Sequence, residues 1–306
     1  MSAKIPLNLP ALRRAYPRLA LFVDVSKWQG NINWSQLAPN INGAIIKTTG
    51  CLRTGKLHID GKAQRNTLHC ISFARTVGHY HYAKHVTESG APAPSGAEQA
   101  AYFVEETKKI YTARGLPFLP AFLVLDLEPG ELKDARRAGW APRVIEGWVR
   151  DFLDTLIRLA PASTRCEVYY SGACIKAADG GLDFLRFDPR FEGWWAGYPS
   201  GGPRAEGFPN KPLGYPADWQ QPWGAWQFSS DGSSPGVKGD LDLNVCRPGS
   251  IFEKIMFGGR GPAQPAPSAL GAPLAFLVLA SFGWFYKPAR RKLQTAARNV
   301  RQRLAA

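Results

Sequence analysis

Eight short β-rich runs, most of them separated by segments long enough to hold a helix, constrain the fold of this chain more than any other feature. They lie near 20–26 (ALFVDVS), 43–50 (GAIIKTTG), 76–83 (TVGHYHYA), 122–128 (FLVLDLE), 166–172 (CEVYYSG), 193–199 (GWWAGYP), 225–230 (AWQFSS) and 241–246 (LDLNVC). Helix-length segments separate the first five, and that alternation predicts an α/β chain folded as a mostly parallel, TIM-like β/α barrel. Between the fourth and fifth runs, Val144, Ile145, Trp148, Phe152, Leu156 and Leu159 recur at helical spacing and predict a helix over 141–159. Ser95 followed three residues later by Glu98 is a capping-box signature for another helix. The last three runs have short or Pro/Gly-rich connections, so helices are expected to be missing there. A length of 306 residues suits one large α/β domain with an appendage, or two modest domains.

After Phe257 the texture changes. Residues 258–269 read as a Pro/Gly linker. The next part, 270–306, begins with a charge-free apolar stretch from Leu270 to Tyr286 and ends in a basic segment that can form a helix. It reads as a membrane segment with Trp284 and Tyr286 at the interface, or as a soluble packing helix. The net charge is +14, half of it on the seven Lys/Arg residues after Tyr286. Such a surface suits a polyanion; without aromatics interleaved on a defined face, membrane or cell-wall polymers are favoured over nucleic acid. Residues 1–19 form a basic N-terminal extension without an apolar core long enough for a secretory signal, so the chain is expected to be made in the cytoplasm. The five cysteines are odd in number, widely spaced and free of CxxC pairs, against a disulfide scaffold or structural zinc; they read as reduced, partly buried thiols.

The run PAFLVLDLEPG (120–130) places Asp126 and Glu128 two residues apart at the end of an apolar strand, hence on one face, with Leu125 and Leu127 on the other. Burying acids is costly unless something uses them. Asp24 ends the first run in the same way, and Asp240 and Asp242 lie at the last. In a β/α barrel the carboxyl ends of strands form the active site, so three strands delivering acids to one mouth point to catalysis. Paired carboxylates without a metal-ligand set point to glycoside hydrolysis: one acid stays protonated to donate to the leaving oxygen, the other ionised to support an oxocarbenium-like transition state. Trp28, Tyr82, Tyr169, Trp195, Tyr198 and Trp226, at or near strand ends, offer faces for sugar rings or pack the barrel. His79 and His81 form an HxH pair, but no third ligand is identifiable, so they read as packed, hydrogen-bonding residues. No metal and no cofactor is expected.

The motifs DVSKWQG (24–30), GHYHYA (78–83), LVLDLE (123–128), WWAGYP (194–199), WQFSS (226–230) and GDLDLN (239–244), in that order, resemble those of glycoside hydrolase family 25, the Chalaropsis-type lysozymes frequent among phage endolysins. The resemblance covers about residues 20–257. It implies a modified barrel of five β/α units plus three further strands, and retaining hydrolysis of the β-1,4 bond between N-acetylmuramic acid and N-acetylglucosamine of peptidoglycan. Position by position, Glu128 matches the general acid/base and Asp126 the carboxylate that orients the substrate's acetamido group. Asp24 and Asp242 match the other two acids. Tyr80, His81 and Gln227 fall in matching strand motifs as further site candidates. Whether the acetamido group or a carboxylate is the nucleophile stays open at family level. The stretch 51–66 departs from the family pattern. The expected enzyme is a monomer acting in phage-type lysis or cell-wall catabolism; the alternatives are an inactive glycan-binding protein and a membrane-disrupting protein that uses the barrel for targeting.

Overall fold

A computed structural model describes residues 7–73, 75–198, 212–216, 219 and 223–258. Its strands are β1 (Leu21–Val25), β2 (Gly43–Cys51), β3 (Leu57–Ile59), β4 (Thr76–Tyr82), β5 (Phe122–Asp126), β6 (Arg165–Ser171), β7 (Trp194–Ala196), β8 (Ala225–Gly232) and β9 (Leu241–Cys246). Each of the eight expected runs forms a strand. The neighbour order β1-β9-β8-β7-β6-β5-β4-β2, with β1 also paired to β2, closes these eight into a barrel. Within the barrel every neighbouring pair not involving β9 is parallel, whereas β9 runs antiparallel to both β8 and β1. β3 is the strand the sequence reading missed. It hairpins onto β2 within the 51–66 stretch that departs from the family pattern.

The α-helices are α1 (Leu9–Ala15), α2 (Trp34–Leu37), α3 (Ala63–Ser72), α4 (Gly96–Thr112), α5 (Pro129–Arg137), α6 (Pro142–Leu159), α7 (Gly172–Ala178) and α8 (Ile251–Phe257). One or more follow each of the first five barrel strands; among the described residues none lies between β7 and β9. The α4 capping box forms as expected, with Ser95 N–H donating to Glu98 and Glu98 N–H to Ser95 Oγ. In α6, Ile145, Trp148, Phe152 and Leu156 are buried, but Val144 and Leu159 are 45% and 40% exposed. These two sit in the first and last turns, and Val144 lies off the buried face, since Ile145 beside it is fully buried.

Burial on both faces explains the continuous apolar runs of parallel strands. All five residues of β5 are buried. Val23, Leu123, Leu125 and Val168 belong to the outer core shared with Phe103, Ile145 and Phe152 of the helices. Phe22, Ile45, Phe122, Val124 and Trp194 fill the interior, and Phe252 and Met256 of α8 join them. Phe122 and Phe252 stack with ring centroids 4.6 Å apart. Gly78 lies where a Cβ would come within 2.9 Å of Phe122 Cβ, so only glycine fits that close approach. With its floor filled, the barrel opens for chemistry at the carboxyl ends of its parallel strands.

Within the N-terminal extension, residues 7–19 dock on the barrel. Leu9 and Leu12 are buried, and Arg13 donates to Asn42 Oδ1 at 2.6 Å. The C-terminal linker and apolar-basic segment fall within 259–306, outside the described residues except for Gly258. Among the described residues no helix is long and apolar enough to cross a membrane.

Candidate active site

The register converts strand ends into a constellation. Asp24 of β1 lies directly opposite Asp242 of β9. Because β9 is antiparallel, its first residues reach the same barrel end as the last residues of the parallel strands. Across β4, β5 and β6, Tyr82, Asp126 and Tyr169 are register partners. The ladder continues past Asp126, with Leu127 N–H donating to Tyr169 O at 3.0 Å. Glu128 keeps extended backbone (φ −113°, ψ 141°) and N-caps α5, whose first residue is Pro129. Asp126 and Glu128 therefore face the same side, as expected, while Leu125 and Leu127 are fully buried in the outer core. All four acids line one cleft of about 240 Å³, with Lys47, Tyr80, Tyr82, Tyr169, Trp194 and Tyr198 among its walls.

A chain of hydrogen bonds fixes Asp24. Its Oδ2 accepts from Gln227 Nε2 and Asn244 Nδ2, each at 2.8 Å. Gln227 Oε1 in turn accepts from the Tyr169 hydroxyl at 2.8 Å and from the Tyr198 hydroxyl, and Asn244 Oδ1 accepts from Trp194 Nε1 at 2.8 Å. Five strands thus cooperate to orient one carboxylate. On the opposite wall the Tyr82 hydroxyl donates to Glu131 Oε1 at 3.1 Å, and Glu131 also pairs with buried Lys84. Asp126 Oδ1 is different: it is buried and has no hydrogen-bond partner among the described residues.

Burial pushes Asp24, Asp126, Glu128 and Asp242 toward the protonated form, and repulsion by neighbouring carboxylates adds to it at the last three. Desolvation, then the charges of Asp24 and Glu131, raise Glu128 to about 7 against the pull of Lys47. Burial raises Asp24 to about 6, with the Asn244 and Gln227 amides holding it down. Asp242 rises to about 9 through burial and the nearby Asp24 charge. Asp126 is raised by burial and then by Glu128. Asp242 at about 9 keeps its proton near neutrality while Asp24 at about 6 is mostly ionised there, so the cleft holds both a protonated and an ionised carboxyl.

Of the expected aromatic and polar residues, Trp28, Tyr80, Tyr82, Tyr169, Tyr198 and Gln227 line the cleft, with Trp28 79% exposed at its rim. His81, Trp195 and Trp226 do not; each faces the outer layer. His81 is fully buried, bonded through Nδ1 to Thr49 Oγ1 and through Nε2 to Gln99 Oε1, both at 2.8 Å. His79 makes the equivalent pair of contacts with Thr48 and Tyr111. Trp195 and Trp226 belong to the outer core and donate to the carbonyls of Leu213 and Gly197. The residues overlooked are Ser26, Gln29, Lys47 and Trp194, which line the cleft, and Asn244 behind Asp24. Lys47 carried a usable signal, a lone charge inside the apolar run GAIIKTTG. Among the described residues no cluster of three His, Cys, Asp or Glu is arranged to hold a metal.

The sequence profile described as "Glycosyl hydrolases family 25" matches residues 23–237, more than half of the chain. The chain belongs to glycosyl hydrolases family 25. Lysozyme M1 of Streptomyces globisporus is 28% identical over 228 residues, 72% of this chain and 66% of that protein, so this family 25 chain spans a little under two thirds of that relative's length. Two solved structures share its fold with TM-scores of 0.56. The bacterial lysozyme from Streptomyces coelicolor is 23% identical, with 80% of this chain and 98% of that one covered. The catalytic domain of endolysin ply40 from bacteriophage P40 of Listeria monocytogenes is 22% identical, with 79% and 98% covered.

Proposed function

We propose that the protein is a muramidase that hydrolyses the β-1,4 bond between N-acetylmuramic acid and N-acetylglucosamine in peptidoglycan, with retention of configuration. The observation that carries this reading is the meeting of Asp24, Asp126, Glu128 and Asp242 in one aromatic-walled cleft. Glu128 is the general acid/base: a carboxyl that titrates at about 7 still holds its proton where the reaction starts and can take one back afterwards. Asp126 orients the acetamido group of the reacting sugar. Its buried Oδ1 has no donor among the described residues, and an amide N–H of the substrate supplies one. Asp24, fixed by Gln227 and Asn244, supports positive charge developing at the sugar ring, and Asp242, which hydrogen-bonds to it, helps hold it in place. Trp28 and Tyr198, exposed at the rim, give the flanking sugars flat apolar faces.

The test is product chemistry. Purified peptidoglycan is digested, the new ends are reduced with borohydride, and the alditols are identified. Muramitol is the expected product; glucosaminitol alone, or no new reducing ends, contradicts the reading. Membrane contact through 270–306 is part of the proposal and rests on its apolar stretch followed by seven basic residues. A chain truncated at 269 should digest isolated wall at the full rate yet bind anionic vesicles less; unchanged vesicle binding contradicts that assignment.

A further inference from the structure

Lys47 is the one cation among the described residues lining the cleft, and it faces four acids. Its place is set by β2. It follows Ile45 on the inward face of the strand, just before the irregularity at Thr48 that shifts the register against β4. Its Nζ lies over the Tyr82 ring, 4.3 Å from the centroid, and 5.9 Å from that of Tyr80. Those ring faces favour an ammonium where water is scarce. Among the described residues no carboxylate oxygen is within ion-pair distance of it, so the charge acts across the cleft rather than being neutralised by one acid.

Resting on the muramidase reading, we infer that Lys47 is a positioning residue whose ammonium keeps the Asp126–Glu128 pair at one shared proton, so that one carboxyl donates while the other is ionised to hold the substrate. Without that charge, two carboxyls desolvated side by side stay doubly protonated to higher pH, and such a pair titrates as a unit. The surroundings agree in sign. Burial lowers Lys47, while Asp126 first, then Asp60 and Glu128, raise it, and Lys27 opposes them. His58 of β3 is held toward neutrality by burial and by Lys47 itself. The Tyr80 and Tyr82 phenols are both pushed up, so they add no charge. Asp24 and Glu131 push Asp126 up, Glu131 with its own partner in Lys84, and among the described residues Lys47 is the one group that pulls Asp126 down.

The test compares pH profiles of kcat/KM on purified peptidoglycan for wild type, Lys47→Met and Lys47→Arg, with thermal unfolding as the check on folding. The Met variant keeps the stem that packs against Tyr82 and loses only the charge. Its acidic limb should move up by about one pH unit, a roughly tenfold loss below that limb, and the Arg variant should restore it. A Met variant with its acidic limb unmoved overturns the inference while leaving the muramidase reading intact. A wild type that releases no reducing ends defeats that reading instead. A second measurement needs no variant: the lysine 13Cε resonance of Lys47 in the wild type should report an ammonium throughout the active range, and a neutral Lys47 there contradicts the inference.

Discussion

Asp126 and Glu128 were legible at the residue scale because a charge at the end of an apolar strand has few uses. Their neighbours were harder. In a strand buried on both faces, alternation no longer separates core from solvent, so the pair Trp194–Trp195 has no readable phase; the structure turns Trp194 to the cleft and Trp195 outward, against Tyr170, Tyr215 and Trp219. His81 misled for the same reason, since the outward face of β4 is as buried as the inward one. Two predictions belong at this scale. Replacing Asn244 by Leu removes a donor that holds Asp24 down, so the acidic limb of the pH profile should rise and turnover near pH 6 should fall about tenfold, checked by kcat against pH. For Asp242 the linkage is with stability. Its carboxyl titrates near 4 when unfolded and at about 9 when folded, so between those values the folded state binds more protons. The stability this adds is full at low pH and lost as pH rises toward 9. His79 works in reverse: burial lowers it to about 3, so its contribution is full above its unfolded value and lost as pH falls. The difference in unfolding free energy between Asp242→Asn and wild type isolates the first effect. It should move in the variant's favour from about pH 5 to 8, a trend His79, common to both proteins, cannot produce.

At the element scale, eight strands and the α4 cap could be read from pattern because each has a local cause. β3 could not: three residues between turn signals carry no periodicity, and pairing with β2 alone makes Leu57–Ile59 a strand. The ends of α6 show the limit of helical spacing, which finds the stripe but not which of its flanking residues stay exposed. Gly96, the first residue of α4, packs so closely on α6 that a Cβ would fall 2.1 Å from Trp148 O. Gly96→Val should force those helices apart and cost several kcal/mol, read as a lower denaturant midpoint. Phe252 of α8 is fully buried against Phe22 and Phe122. Phe252→Ala should cost about 3–5 kcal/mol in the same assay, while the folded fraction keeps its turnover because the plug lies at the barrel end away from the acids.

For the whole molecule, the barrel class followed from the order of runs, and the closing antiparallel strand is what brings Asp242 round to Asp24. The docking of residues 7–19 was hidden because a basic, Pro-containing segment looks like an appendage until Arg13 is seen bonded to Asn42, whose Oδ1 also accepts from Leu21 N–H at the start of β1. All five cysteines are buried, consistent with thiols that fill space. The net charge of +14 predicts that raising salt weakens binding to anionic cell wall, seen as a rising KM with little change in kcat. The central claim is narrower: strands distant in the chain bring four acids to one sugar linkage, and Glu128 supplies the proton. Its most direct test is the rate of reducing-end release from purified peptidoglycan near pH 6 by wild type and Glu128→Gln, with unfolding temperatures recorded for both. The account predicts a loss of about a hundredfold or more at an unchanged unfolding temperature. A folded Glu128→Gln protein that cleaves at the wild-type rate would contradict it.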